Sequence, residues 1–289
     1  MTAQILSCAV YAVLGALLCR KYLSVNRNFN SAFPVVAVFG VAFVLRLVLG
    51  VSFTGYETDM NTFKAWAGMV DSMGIQNIYY SDAFLDYPPG YLYVLWGLEK
   101  LRQLFGLETG GSGFTLLIKL PSILADLLCG WLLYSTAQKR TNNIKALLTA
   151  ALYLFCPAVL INSTIWGQAD SFCVLLLLLA ILLLLREKPG WMAAAGAMYG
   201  LGVMMKPQML LFAPVFLFFV LKRKDWKGLL LGLVSAFAVI FLLALPCTRN
   251  FDFSWLPQQY LDTMGFYNYF TINAYNLYGL LGLNWRSLE

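Results

Sequence analysis

Runs of apolar residues long enough to cross a lipid bilayer recur along this 289-residue chain. A crossing helix needs about 20 mainly apolar residues, because the hydrocarbon core is roughly 30 Å thick. Residues 33–53 form one such run, interrupted by a single charge at Arg46. Residues 172–185 form a run without any charge, which a soluble domain would have to bury on every side. With 60% hydrophobic and 12% charged residues, the composition agrees. The expected fold is therefore all-α: a polytopic membrane protein with about eight transmembrane helices.

The apolar segments fall near residues 3–19, 33–53, 114–136, 144–162, 172–185, 191–205, 209–221 and 228–245. The first lacks a basic n-region and is followed by Arg20-Lys21, so it does not read as a cleavable signal peptide. Loops after the first, third, fifth and seventh segments hold twelve of the twenty Lys and Arg residues. The opposite side holds eleven of the fourteen acids, which by the positive-inside rule makes that side extracytoplasmic. Residues 90–105 carry Glu99, Lys100 and Arg102 and would span only about 24 Å as a helix. They are expected to lie along the interface rather than to cross.

Between the second and third segments lies one long stretch, residues 54–113, which holds Glu57, Asp59, Asp82 and Asp86. Loops of this length are usually functional or disordered, and Phe63, Trp66, Tyr79 and Phe84 argue against disorder. The chemistry is expected there. Histidine is absent, so carboxylates are the natural proton acceptors. The six cysteines form no CxxC pair and read as buried small hydrophobes. Glu57 and Asp59 form a Glu-x-Asp pair, an oxygen donor set suited to a divalent cation such as Mg or Mn, or else a loop acid that tunes its neighbour. Asp59 and Asp86 also suit helix N-caps. Arg46 and Asp126 are intramembrane charges at similar depth, readable as an ion pair or, for Arg46, as a phosphate ligand. Lys206 stands at a Lys-Pro-Gln break with Gln208, and either binds phosphate or snorkels to the interface.

Several motifs occur in a characteristic order. They are Asp59 with Phe63 and Trp66-Ala67; Asp86-Tyr87-Pro88-Pro89-Gly90; Trp166-Gly167-Gln168-Ala169-Asp170; Lys206-Pro207-Gln208; and Ile272-Asn273-Ala274-Tyr275-Asn276. Together they resemble the C-type superfamily of membrane glycosyltransferases, and within it bacterial proteins similar to GPI mannosyltransferase II. The resemblance implies transfer of a hexose such as mannose, with inversion, from a polyprenyl-phosphate carrier to a hydroxyl on a glycan, lipid or protein. It implies an active site on the extracytoplasmic side of a bacterial plasma membrane, and calls for no nucleic acid. It casts Asp59 as general base, with Glu57 and Asp86 as further catalytic candidates. Arg46, Tyr87, Trp166, Gln168, Asp170, Lys206, Gln208, Asn273 and Asn276 are then candidates for donor or acceptor binding.

The resemblance also sets the expected organisation. Residues 1–289 form one transmembrane domain, in which 1–32 are an N-terminal addition and 54–113 the catalytic loop. Residues 246–289 are an aromatic extracytoplasmic stretch that ends short of the family pattern, as a truncated chain would. A transporter or flippase of a lipid-linked saccharide is the alternative reading, and paired broken helices in inverted repeats, its mark, are not found. The short C-terminal part leaves a noncatalytic subunit as a third.

Overall fold

A computed structural model describes residues 17, 20, 28, 29, 31–186, 189–272, 274 and 276–288. The segment expected at residues 3–19 lies almost wholly outside them. The described chain is helical and contains no strand; its only β-type pairing consists of isolated bridges, Tyr269 with Ser287 and Thr271 with Asn284. It divides into two compact units. The first comprises residues 1–64 and 102–178, the second residues 65–101 and 179–289.

In the first unit, α1 (Phe33–Ser52) has Pro34 in its first turn, where a missing N–H costs nothing. Helix α5 (Ser112–Gln138) is long enough to reach about 40 Å. Helix α6 (Asn143–Leu154) is capped by Asn142, whose side chain accepts from the Lys145 N–H at 2.9 Å. These three meet through small residues, with Ala42, Ala146 and Ala150 fully buried alongside Leu154 and Tyr134. Small side chains let helices approach closely where lipid removes the hydrophobic drive.

The expected continuous segment at 144–162 is broken. Pro157 cannot donate a backbone bond, and Cys156 before it is extended at φ −61, ψ 122. The chain restarts as α7 (Pro157–Leu160) and then a π-helical turn, Ile161–Trp166. The two arms bend by 47°. Part of the link expected from Ser163 to Asp170 is therefore helical.

The long stretch at 54–113, expected to carry interfacial helices, contains α2 (Glu57–Met73), α3 (Ile75–Ile78) and α4 (Pro89–Leu104). Helix α2 buries Met60, Phe63, Trp66, Ala67 and Val70, a stripe at three- and four-residue spacing. In the second unit, Asp71 ties α2 to α4 through the Trp96 indole at 3.1 Å and a salt bridge to Lys100.

Beyond these, α8 (Asp170–Leu184) and α9 (Pro189–Met205) are apolar but short. A 3₁₀ turn, Pro207–Phe212, leads into α10 (Ala213–Arg223) and then α11 (Trp226–Ala244). Helices α9 and α11 pack backbone to backbone. A Cβ on Gly196 would sit 2.0 Å from the Gly232 carbonyl oxygen, and one on Gly200 2.7 Å from that of Ala236. Helix α12 (Trp255–Phe266) and the single turn α13 (Leu277–Leu280) close the chain.

Three described helices are long and apolar enough to cross a membrane: Phe33–Ser52, Ser112–Gln138 and Trp226–Cys247. The bent pair around Pro157 makes a fourth if it is one span. Helix α11 leaves Leu230, Val234, Phe237 and Leu242 more than half exposed, the inverse of a soluble helix. The protein is an integral membrane protein. Of the cysteines among the described residues, Cys129, Cys173 and Cys247 are buried and Cys156 is partly buried.

Candidate functional site

Asp59 is brought to the turn that follows the π-helix, more than a hundred residues downstream. Gly55, at φ +97, lets the chain reverse after α1, and the Tyr56 N–H donates to the Trp166 carbonyl at 2.9 Å. Gly167, at φ +91, turns the chain so that Trp166 and Gln168 both face Asp59. The Trp166 indole N–H donates to Asp59 Oδ2 at 2.7 Å, and the Gln168 amide donates to the same oxygen. The Tyr56 and Trp166 rings lie 5.1 Å apart beside them. Sequence reading named all three of Asp59, Trp166 and Gln168. π-Turns are frequent at functional sites. Lys64, on the same helix, is held below the usual lysine range by partial burial.

The N-cap reading of Asp59 is corrected. Helix α2 begins at Glu57, so Asp59 lies inside the first turn and its carboxylate reaches across to Trp166 and Gln168. Glu57 lies two residues before Asp59 in the same first turn of α2. Among the described residues, no group of three or more His, Cys, Asp or Glu is placed to hold a metal.

Asp170 accepts from the Asn162 amide at 2.9 Å, while the Asn162 side-chain oxygen is buried without a partner among the described residues. Deeper in the same unit, Arg46 and Asp126 form the expected ion pair, Nε to Oδ2 at 3.0 Å, with both side chains fully buried. Arg46 also donates to the carbonyls of Ala42 at 3.2 Å and Leu154 at 2.8 Å, the latter exposed by the Pro157 break. Asp126 accepts from Ser163 at 2.6 Å and Tyr153 at 3.4 Å. A carrier phosphate would have to displace this network to reach Arg46.

Sequence reading missed Lys119. It is fully buried in α5, and its ammonium donates to the carbonyls of Phe53 at 2.6 Å and Gly50 at 3.3 Å. It thus caps the C-terminal end of α1, where the helix dipole favours a cation, and its Cε lies 3.2 Å from where a Gly167 Cβ would be. A lone lysine in an apolar run was the signal, of the same kind as Arg46.

In the second unit, Asp86 precedes α4 by three residues, too far upstream to cap a helix that starts at Pro89. Its carboxylate accepts from the Tyr267 hydroxyl at 2.7 Å, and its carbonyl from Thr263 at 3.2 Å. Tyr87 is packed inward at 7% exposure, with its ring 5.4 Å from Trp66. The Lys206 ammonium lies 5.2 Å from the centre of the Tyr87 ring, a cation–π distance. Lys206 itself is extended, and Gln208 is exposed on the 3₁₀ turn after it. Gly90 lies against α9, where any Cβ would come within 2.4 Å of the Met204 carbonyl oxygen. Asn276 serves as a turn residue, accepting from the Gly279 N–H and donating to Thr271 at 3.0 Å. Asn273 lies outside the described residues.

The model of one protein family, described as dolichyl-phosphate-mannose-protein mannosyltransferase, matches residues 86–248, more than half of the chain. The match includes Asp86, Trp166, Gln168 and Lys206. The chain is also similar to the dolichyl pyrophosphate Glc1Man9GlcNAc2 alpha-1,3-glucosyltransferase of Arabidopsis thaliana. The two are 25% identical over 241 residues, covering 78% of this chain and 46% of that protein. The chain thus spans under half the length of this curated relative.

Proposed function

Because the chain belongs to the dolichyl-phosphate-mannose-protein mannosyltransferase family, we propose that it is a membrane glycosyltransferase taking a hexose from a polyprenyl-phosphate carrier. Mannose is the first candidate, from the family description, and glucose the second, from the relative's name. The acceptor is a hydroxyl on the extracytoplasmic side of a bacterial plasma membrane. In this reading α8, α9 and α10 join the long spans as further crossings.

The observation that carries the proposal is the Asp59 carboxylate, held through Oδ2 by Trp166 and Gln168. Oδ1 has no bond among the described residues and is the oxygen that takes the proton. The acceptor hydroxyl attacks the anomeric carbon as its proton passes to Asp59. The bond from that carbon to the carrier phosphate oxygen breaks, and the lipid phosphate leaves with the electron pair. Attack opposite the leaving group inverts the configuration. Positive charge stabilises the departing phosphate.

The test is transfer in vitro from polyprenyl-phosphate mannose and polyprenyl-phosphate glucose, comparing wild type with Asp59→Asn. Asparagine keeps the size and an acceptor oxygen but takes no proton, so turnover falls about 10²–10⁴-fold while donor binding stays intact. Full activity in the variant removes Asp59 as the base. Absence of transfer from either donor by the wild type overturns the reading in favour of lipid-linked sugar transport.

A further inference from the structure

In the first unit, the turn that presents Asp59 borders an apolar groove of about 240 Å³. Residues 53–56 form one wall, and Ile161, Ile165 and Trp166 form the other. Among the described residues, no charged side chain lines it. Backbone polar groups of the lining are already used: the Phe53 carbonyl accepts from Lys119 at 2.6 Å, and the Trp166 carbonyl from the Tyr56 N–H at 2.9 Å. The Trp166 indole N–H is spent on Asp59. Beside the Thr54 and Tyr56 hydroxyls, what the groove offers a ligand is aliphatic and aromatic surface.

Both walls are the ends of membrane segments. Phe53 directly follows α1, which is long and apolar enough to cross, and Ile161–Trp166 closes the bent pair around Pro157. The groove therefore opens where hydrocarbon gives way to the aqueous side. Its apolar side chains are not covered by protein: Phe53 is 45% and Ile161 46% exposed, and Val48 and Val51 in the last turn of α1 are more than half exposed. Such side chains at the edge of a bilayer meet lipid chains.

The chemistry proposed for Asp59 says which lipid. In an inverting displacement the nucleophile and the leaving group stand on opposite faces of the sugar ring. The carrier phosphate and its chain therefore depart from the face away from the base. Trp166 is at once a wall of the groove and a donor to the Asp59 carboxylate, so the groove lies on the acceptor's side. Its volume is below the roughly 300–1,000 Å³ of pockets that enclose a whole ligand, which suits a length of chain with the headgroup left outside. We propose that this groove holds the hydrocarbon chain of a lipid acceptor and so delivers that lipid's hydroxyl to Asp59. The acceptor role rests on Asp59 being the base, as proposed above, whereas hydrocarbon binding does not.

The test uses the full chain in lipid nanodiscs and three photoreactive probes, each with a diazirine in its hydrocarbon part: dodecyl α-mannoside, farnesyl phosphate and phosphatidylcholine. Cross-linked residues are read by peptide mass spectrometry. The dodecyl mannoside probe should mark residues 53–56 and 161–166, and unlabelled dodecyl mannoside should displace it where methyl mannoside does not. Ile161→Trp and Thr54→Trp, which fill the groove from opposite walls at partly exposed positions, should each weaken this labelling about ten-fold or more, as loss of burial for roughly two methylenes requires. Melting temperature checks that both variants fold. With polyprenyl-phosphate mannose as donor, wild type should prefer dodecyl over methyl mannoside by about the same factor, and the variants should lose that preference. Labelling of these residues by farnesyl phosphate in place of the mannoside overturns the proposal, since the groove would then serve the carrier. Labelling by phosphatidylcholine that dodecyl mannoside does not displace also overturns it, as ordinary lipid contact. So does an equal fall in transfer to both mannosides in the variants. Displaceable, variant-sensitive labelling in a protein that transfers sugar to nothing supports the groove and overturns the transferase reading.

Discussion

The buried pair of Arg46 and Asp126 makes the most quantitative prediction. Arg46→Met leaves the Asp126 carboxylate facing only neutral donors, Ser163 at 2.6 Å and Tyr153 at 3.4 Å. Breaking a buried ion pair by removing one partner costs about 3–5 kcal/mol, because an uncompensated charge stays in a low-dielectric interior. Asp126→Leu should cost a similar amount by stranding the guanidinium. Arg46→Met combined with Asp126→Leu removes both charges. What then remains unmade is the Arg46 bond to the Leu154 carbonyl and the long bond from Tyr153, since Ser163 still reaches the Val159 carbonyl at 3.0 Å. An unsatisfied buried acceptor costs about 1–3 kcal/mol, so the double variant should be more stable than either single one. The assay is unfolding in mixed micelles by titration with dodecyl sulfate, followed by tryptophan fluorescence. The double-variant loss should fall short of the summed single losses by more than about 2 kcal/mol. Additive losses, or an Arg46→Met cost under about 1 kcal/mol, would refute the claim that the charges compensate each other.

Lys119→Met should lower stability by about 1–3 kcal/mol, as two charge-assisted bonds to the end of α1 are lost and one buried charge is relieved. Transfer activity should also drop, because the chain from Phe53 to Tyr56 that presents Asp59 loses its anchor; unchanged unfolding and turnover would deny Lys119 a positioning role. Thr109 and Thr141 are exposed at opposite ends of α5, about 40 Å apart along a 27-residue helix. In a cysteine-free background, Thr109→Cys should react with an impermeant maleimide from outside the cell and Thr141→Cys only after permeabilisation. Labelling of both from one side would mean that α5 does not cross.

What was legible in the sequence was what local chemistry decides. Apolar length placed α1, α5 and α11, and a proline without an N–H broke the chain after Lys206 as expected. The depth of two intramembrane charges paired Arg46 with Asp126. The same proline logic applied to Pro157 would have found the 47° bend, but its segment was apolar enough to hide it. Only tertiary structure decided what touches what. Asp59, Trp166 and Gln168 were each visible in a motif, yet nothing local says that one carboxylate oxygen receives both side chains. That contact depends on two glycines with positive φ and on a helix that starts at Glu57 instead of Met60. The three-residue shift in the helix start turned an expected cap into an acceptor for two side chains far along the sequence. Side-chain direction changes by about 100° with each helical residue, whereas hydropathy is nearly blind to such a shift. The sequence by itself therefore determined a helical membrane protein with acids in its long intersegment stretch. Which acid is held, and by what, was decided by the packing of residues more than a hundred positions apart.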